Sequence, residues 1–99
     1  MDAARLFADT SDAVLNRILE EIDKGMENGR RYTNANNATD RAAWQVVARH
    51  LERDKRQARA VVRTWIDNGV LVVEDYDDPV EHKTLKGLRL DPTKRPGPQ

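Results

Sequence analysis

The residues from Asp54 to Val73 constrain the fold most, because they specify a helix, both its ends and the strand that follows. Asp54 can cap a helix start, and Gln57 stands three residues on, where a capping-box partner belongs. Ala58, Val61, Val62, Trp65 and Ile66 recur at helical spacing and form one apolar stripe. Lys55, Arg56, Arg59 and Arg63 fall largely on the opposite side, with no acid among them. Asn68-Gly69 supplies the stop, since glycine enters the left-handed region without a Cβ clash. The apolar run Val70-Leu71-Val72-Val73, rich in β-branched residues, then reads as a strand. A basic outer face is also what an ordinary solvated helix carries, so the rest of the chain must decide its meaning.

The 99 residues fit one small domain with a modest core, too small for an enzyme built around a deep cleft. The absence of cysteine excludes disulfides, thiolate metal sites and a cysteine nucleophile. No apolar run approaches the ~20 residues that span a bilayer, and no signal-peptide pattern opens the chain, so a soluble cytoplasmic protein is expected. Asn37-Ala38-Thr39 matches a glycosylation sequon, which without a secretion signal is read as chance. Net charge is zero, but charge is unevenly spread. Arg41 to Arg63 holds seven basic residues against two acids (Glu52, Asp54), a balance of +5. Thr10 to Asn28 holds two basic residues against five acids, a balance of −3. That asymmetry suits one face turned to a polyanion and another left to solvent or a partner.

Met1 to Asp9 reads as a loosely held lead-in, with Leu6 and Phe7 able to pack on the first helix. Thr10-Ser11-Asp12 offers capping oxygens, and Leu15, Ile18, Leu19, Ile22 and Met26 mark one face of a scaffold helix that Gly25 can end. Asn28 to Ala38 is loop material in which Arg30, Arg31 and Tyr32 stand either solvated or against phosphate. Thr39 or Asp40 opens a second helix with Ala43, Trp44, Val47, Ala48 and Leu51 as its buried stripe. Leu51-Glu52-Arg53-Asp54 then leads into the third helix within a few residues. Trp44 and Trp65 both fall on apolar stripes, which makes core packing a better reading than base stacking. Val70–Tyr76 and Lys83–Leu90 read as two strands, with Asp77 to Glu81 as the turn between them. Asp91 to Gln99 holds three prolines and a glycine and reads as a disordered tail.

Chemistry-bearing constellations are missing from this pattern. There is no phosphate-binding GxxxxGK[ST] loop and no pairing of nucleophile with base, so a non-enzyme without cofactors is expected. His50 and His82 lack metal-ligand company and read as surface residues. The acids Glu74, Asp75, Asp77, Asp78 and Glu81 lack the alternating ligands and central glycine of a calcium loop. The expected fold is mainly α with a small β-hairpin over residues 10–90: a winged helix-turn-helix of three helices plus a two-stranded wing. In that arrangement the second helix crosses the DNA backbone and the third enters the major groove.

Several segments carry a family resemblance: Asp40-Arg-Ala-Ala-Trp-Gln-Val-Val, Arg63-Thr-Trp-Ile-Asp-Asn-Gly-Val-Leu, Glu74-Asp-Tyr-Asp-Asp-Pro-Val-Glu and Lys86-Gly-Leu-Arg-Leu. From about Val14 to Pro96 the chain resembles the C-terminal region of RepA-like, RecA-type ATPases of the AAA family, found in bacteria, prophages and plasmids. The resemblance implies a fragment: a winged-helix accessory module that follows an ATPase core whose phosphate loop lies upstream. Nothing of the ATP site transfers, because no matching residues are present.

Two functions from different classes follow. In the first the module binds double-stranded DNA during replication or phage DNA metabolism. Lys55, Arg56, Arg59 and Arg63 then face the groove while Arg41, Arg49 and Arg53 hold phosphate. In the second it docks on the ATPase core or a replication protein, as the five acids of the wing would suggest, since they meet phosphate with like charge. On either reading Asp77 and Asp78 are expected exposed at the wing tip. A transcription regulator of MarR-like type is a further alternative.

Overall fold

The computed structural model describes residues 11–35 and 39–94. The lead-in, with Leu6 and Phe7, the sequon's Asn37 and Ala38, and the last five residues of the tail lie outside the described residues.

Helix α1 (Asp12–Lys24) starts at Ser11, whose hydroxyl accepts from the Val14 N–H at 3.3 Å, and ends at Gly25 with φ +81°. Leu15, Ile18, Leu19 and Ile22 are its buried face, as their spacing predicts. Met26, read as the next position of that stripe, lies past the helix end and is only half-buried. The second helix begins later than expected. A 3₁₀ turn covers Thr39–Arg41, and α2 itself spans Trp44–Leu51. Ala43, Val46 and Val47 are buried while Trp44 sits at the rim, so the buried stripe is rotated from the one read in sequence.

Between α2 and α3 (Lys55–Asp67) lie three residues, with Glu52 in the left-handed region at φ +51°. Asp54 then accepts from the Gln57 N–H at 2.8 Å, the cap expected of Asp54. Ala58, Val61, Val62 and Trp65 of α3 are buried and Ile66 is half-buried. The helix closes as its sequence predicts: the Gly69 N–H bonds the Ile66 carbonyl, and Gly69 adopts φ +78°.

Strands β1 (Leu71–Asp78) and β2 (Lys83–Leu90) pair antiparallel, from Leu71 opposite Leu90 to Asp78 opposite Lys83. β1 is two residues longer than its expected end at Tyr76, so the turn is Pro79–His82 and Asp78 belongs to the ladder. The segment after α1 covers the outer edge of β2, where the Leu88 N–H donates to the Tyr32 carbonyl. Leu71 and Leu88 complete a core shared with α1, α2 and α3. Pro92–Lys94, within the segment read as a disordered tail, forms a 3₁₀ turn. The fold is thus three helices and a two-stranded wing.

Gly87 marks the closest approach in this assembly. A Cβ there would come within 2.7 Å of the Arg31 Cβ and 3.1 Å of the Tyr76 ring. Gly87→Ala is therefore expected to cost about 1–3 kcal/mol in chemical denaturation, because strand or loop must shift. A loss near zero would show that the two backbones are not seated against each other.

Candidate nucleic-acid interface

On α3, steps of about 100° per residue place Lys55, Arg56, Arg59 and Arg63 within one sector of roughly 100°, which borders the buried stripe at Lys55 and turns opposite it at Arg56 and Arg63. Lys55, Arg56 and Arg63 are exposed. Lys55 lies over the Trp44 ring, with Nζ 5.4 Å from its centroid, a cation–π arrangement that ties the start of α3 to α2. Arg63 is 72% exposed at its side chain and meets Asp67 one turn later at 3.2 Å. Such a solvated pair is worth little and yields readily to a phosphate. Arg59 differs: it is half-buried and donates to the Asn34 carbonyl at 3.3 Å.

The phosphate-holding set expected from the sequence divides. Arg49, exposed in the last turn of α2, pairs with Glu21 of α1 at 2.6 Å, and His50 approaches the same carboxylate at 3.4 Å. Arg53 is half-buried and engaged within the fold. Arg49 and Arg53 line one shallow cleft with Ser11, Val14, His50 and Gln57. Arg41 must be withdrawn from the set. It is buried, and its Nη1 donates to the Arg31 carbonyl, the Tyr76 hydroxyl and the Lys86 carbonyl, each at 3.2 Å. The 3₁₀ turn before α2 carries it beneath the hairpin rather than onto the surface.

Arg30 and Arg31 are likewise neither solvated nor free for phosphate. Arg30 is buried, with Nε donating to Asp78 Oδ1 at 3.0 Å and Nη1 bound to Asp40. Arg31 donates to the Leu88 carbonyl at 3.1 and 2.9 Å and to the Asp23 carbonyl at 2.6 Å. With Arg41 they clamp the loop after α1 to the back of the hairpin, Arg30 through the Asp78 carboxylate and Arg31 and Arg41 through main-chain carbonyls. Asp78, far from being a tip residue, is wholly enclosed and also accepts from the Tyr76 hydroxyl at 2.6 Å and from the Val80 and Glu81 N–H groups. Burial alone would push its carboxyl up. The hydrogen bonds from Tyr76, Glu81 and Arg30 outweigh that and hold it well below the usual carboxylate range.

The remaining wing acids are not the bare negative patch that their sequence suggests. Glu74 pairs with Arg89 at 3.3 Å, Asp75 with Lys86, and Glu81 with Lys83 at 4.0 Å. Asp77 accepts from the Thr84 hydroxyl at 3.4 Å. Cross-strand bases thus offset much of the repulsion expected between wing and phosphate. His82 is exposed at the turn, in the left-handed region at φ +56°. Among the described residues no cluster of three His, Cys, Asp or Glu side chains could hold a metal, and no helix is long and apolar enough to cross a membrane.

Helix order, the tight connection into a basic third helix and the hairpin after it make the architecture a winged helix-turn-helix. No family model matches the chain, and no curated protein or solved structure does so either.

Proposed function

We propose that this domain binds double-stranded DNA, with α3 entering the major groove. The observation that carries this reading is the exposed sector of Lys55, Arg56 and Arg63 on the helix that follows the three-residue turn. No acid interrupts that sector until Asp67, and Asp67 is engaged with Arg63. Arg59 lies within the same sector but is half-buried against the Asn34 carbonyl, and Arg49 and Arg53 at the α2–α3 corner supply charge where a crossing helix meets the backbone. The resemblance of Asp40–Val47, Arg63–Leu71 and the wing to RepA-like ATPases is what suggests an accessory role beside an ATPase core in replication or phage DNA metabolism. Docking on such a core is the competing reading, and the exposed valines and acids of β1 favour it.

Titration of a labelled random duplex by fluorescence anisotropy, at about 50 and about 200 mM salt, tests the DNA reading. The double variant Arg56→Ala with Arg63→Ala is expected to keep the wild-type fold and bind more weakly. Its log–log salt slope is expected to be shallower by about two units, one for each phosphate contact removed. An unchanged slope in the folded variant removes α3 from the interface.

A further inference from the structure

We propose that the outer edge of β1 receives an extended, basic peptide segment as a third strand of the wing. In an antiparallel ladder, residues directly opposite each other turn their N–H and C=O groups either both inward or both outward. On β2 the outward set is marked by its partners. The Leu88 N–H reaches the Tyr32 carbonyl, the Lys86 carbonyl accepts from Arg41, and the Leu90 N–H reaches Asp23. Their opposites on β1 are Val73, Asp75 and Leu71, and the same alternation adds Asp77, opposite Thr84. The two edges differ sharply. The β2 edge is covered by the loop after α1, whereas among the described residues nothing pairs with the outward groups of Val73, Asp75 and Asp77.

That open edge is also where large apolar side chains meet water. Val73 is 51% and Val72 39% exposed, and Val80 at the adjoining turn is 51% exposed. Unpaired edges recruit strands unless they are blocked, and main-chain hydrogen bonds supply the affinity when they do. Charge selects the occupant. β1 exposes Glu74, Asp75 and Asp77 and holds no basic residue; Arg89 and Lys86 of β2 meet Glu74 and Asp75 only as exposed, weakly coupled partners, and Asp77 has no cationic partner among the described residues. A second copy of this chain pairing along β1 would set acid against acid in either direction, which disfavours it. A strand of alternating apolar and Lys/Arg residues satisfies the backbone, covers Val72 on one face of the hairpin and meets Asp75 and Asp77 on the other with opposite charge. This surface is separate from α3, so the proposal stands whether or not α3 binds DNA.

The test titrates a blocked peptide of alternating valine and lysine, about as long as β1, into the isotopically labelled domain, with amide exchange followed by NMR. Slowed exchange at the Val73, Asp75 and Asp77 amides is expected, with the outward amides of β2 unaffected. A valine–glutamate peptide, and a lysine peptide of equal charge interrupted by proline, are expected not to protect them. Val73→Pro removes an outward donor that the hairpin itself does not use, so it should fold and weaken the peptide roughly tenfold. Asp75→Lys with Asp77→Lys leaves the backbone intact and should reverse the preference toward the acidic peptide. Protection by the proline-interrupted peptide, equal binding of both charge types, or protection that tracks protein concentration without peptide would each overturn the proposal.

Discussion

Replacing Asp78 with alanine is expected to lower the thermal midpoint by roughly 10 °C or more. One carboxylate holds Arg30, the Tyr76 hydroxyl and the N–H groups of Val80 and Glu81, so its loss strands four donors at once. Arg30 would remain buried with Asp40 as its near partner and Glu81 only at 3.9 Å. A buried charge left short of partners is far more destabilising than the loss of an exposed pair such as Glu74–Arg89. The pH dependence has a definite sign. Asp78's native carboxyl lies below its unfolded value of about 4. Its stabilisation is therefore complete above that value and is lost as pH falls towards the depressed native one. Circular-dichroism melts between about pH 3 and 7 should show a steep acid limb in the parent, and a shallower one in Asp78→Asn, which cannot titrate. A midpoint for the alanine variant within a degree or two of the parent would refute this account of the clamp.

What the sequence discloses and what it conceals divide along one physical line. The third helix is legible to the residue because its cap, stripe and stop are local signals: Asp54 with Gln57, Ala58 through Trp65, and Asn68-Gly69. The outward direction of Lys55, Arg56 and Arg63 follows from the same periodicity. Phase fails in the second helix because apolar residues run nearly without interruption from Ala42 to Ala48. Such a run fits several faces, and packing against both α1 and α3 chose Val46 over Trp44. Asp77-Asp78-Pro79 carries a strong local turn signal, yet Asp78 joins the ladder because Arg30, 48 positions away, neutralises it there. Arg41 misleads for the same reason: its acceptors lie on the hairpin, 35 and 45 residues downstream. Side chains whose partners are distant in sequence have no local signature. Of the candidate interface, then, the direction of the basic face was readable, but which arginines the fold itself consumes was not.

The two tryptophans separate core from surface most directly. Trp65 is 2% exposed and packs among residues from the helices and the hairpin, so Trp65→Ala is expected to cost about 3–5 kcal/mol in urea denaturation. Trp44 lies at the edge of that core with Lys55 over its ring. Trp44→Ala should cost less, since its cavity opens to solvent and the lost cation–π contact adds only about 0.5–1 kcal/mol. The difference is also visible without unfolding the domain. A Trp44→Phe variant leaves Trp65 as the sole indole, which acrylamide should quench poorly. The reciprocal Trp65→Phe variant leaves Trp44, which should quench readily and shift when Lys55 is replaced by methionine. If DNA binding engages the start of α3, duplex addition should perturb Trp44 emission and leave Trp65 unchanged. Ready quenching of Trp65, or a Trp65→Ala variant nearly as stable as the parent, would move that ring out of the core and return it to the surface as a stacking platform.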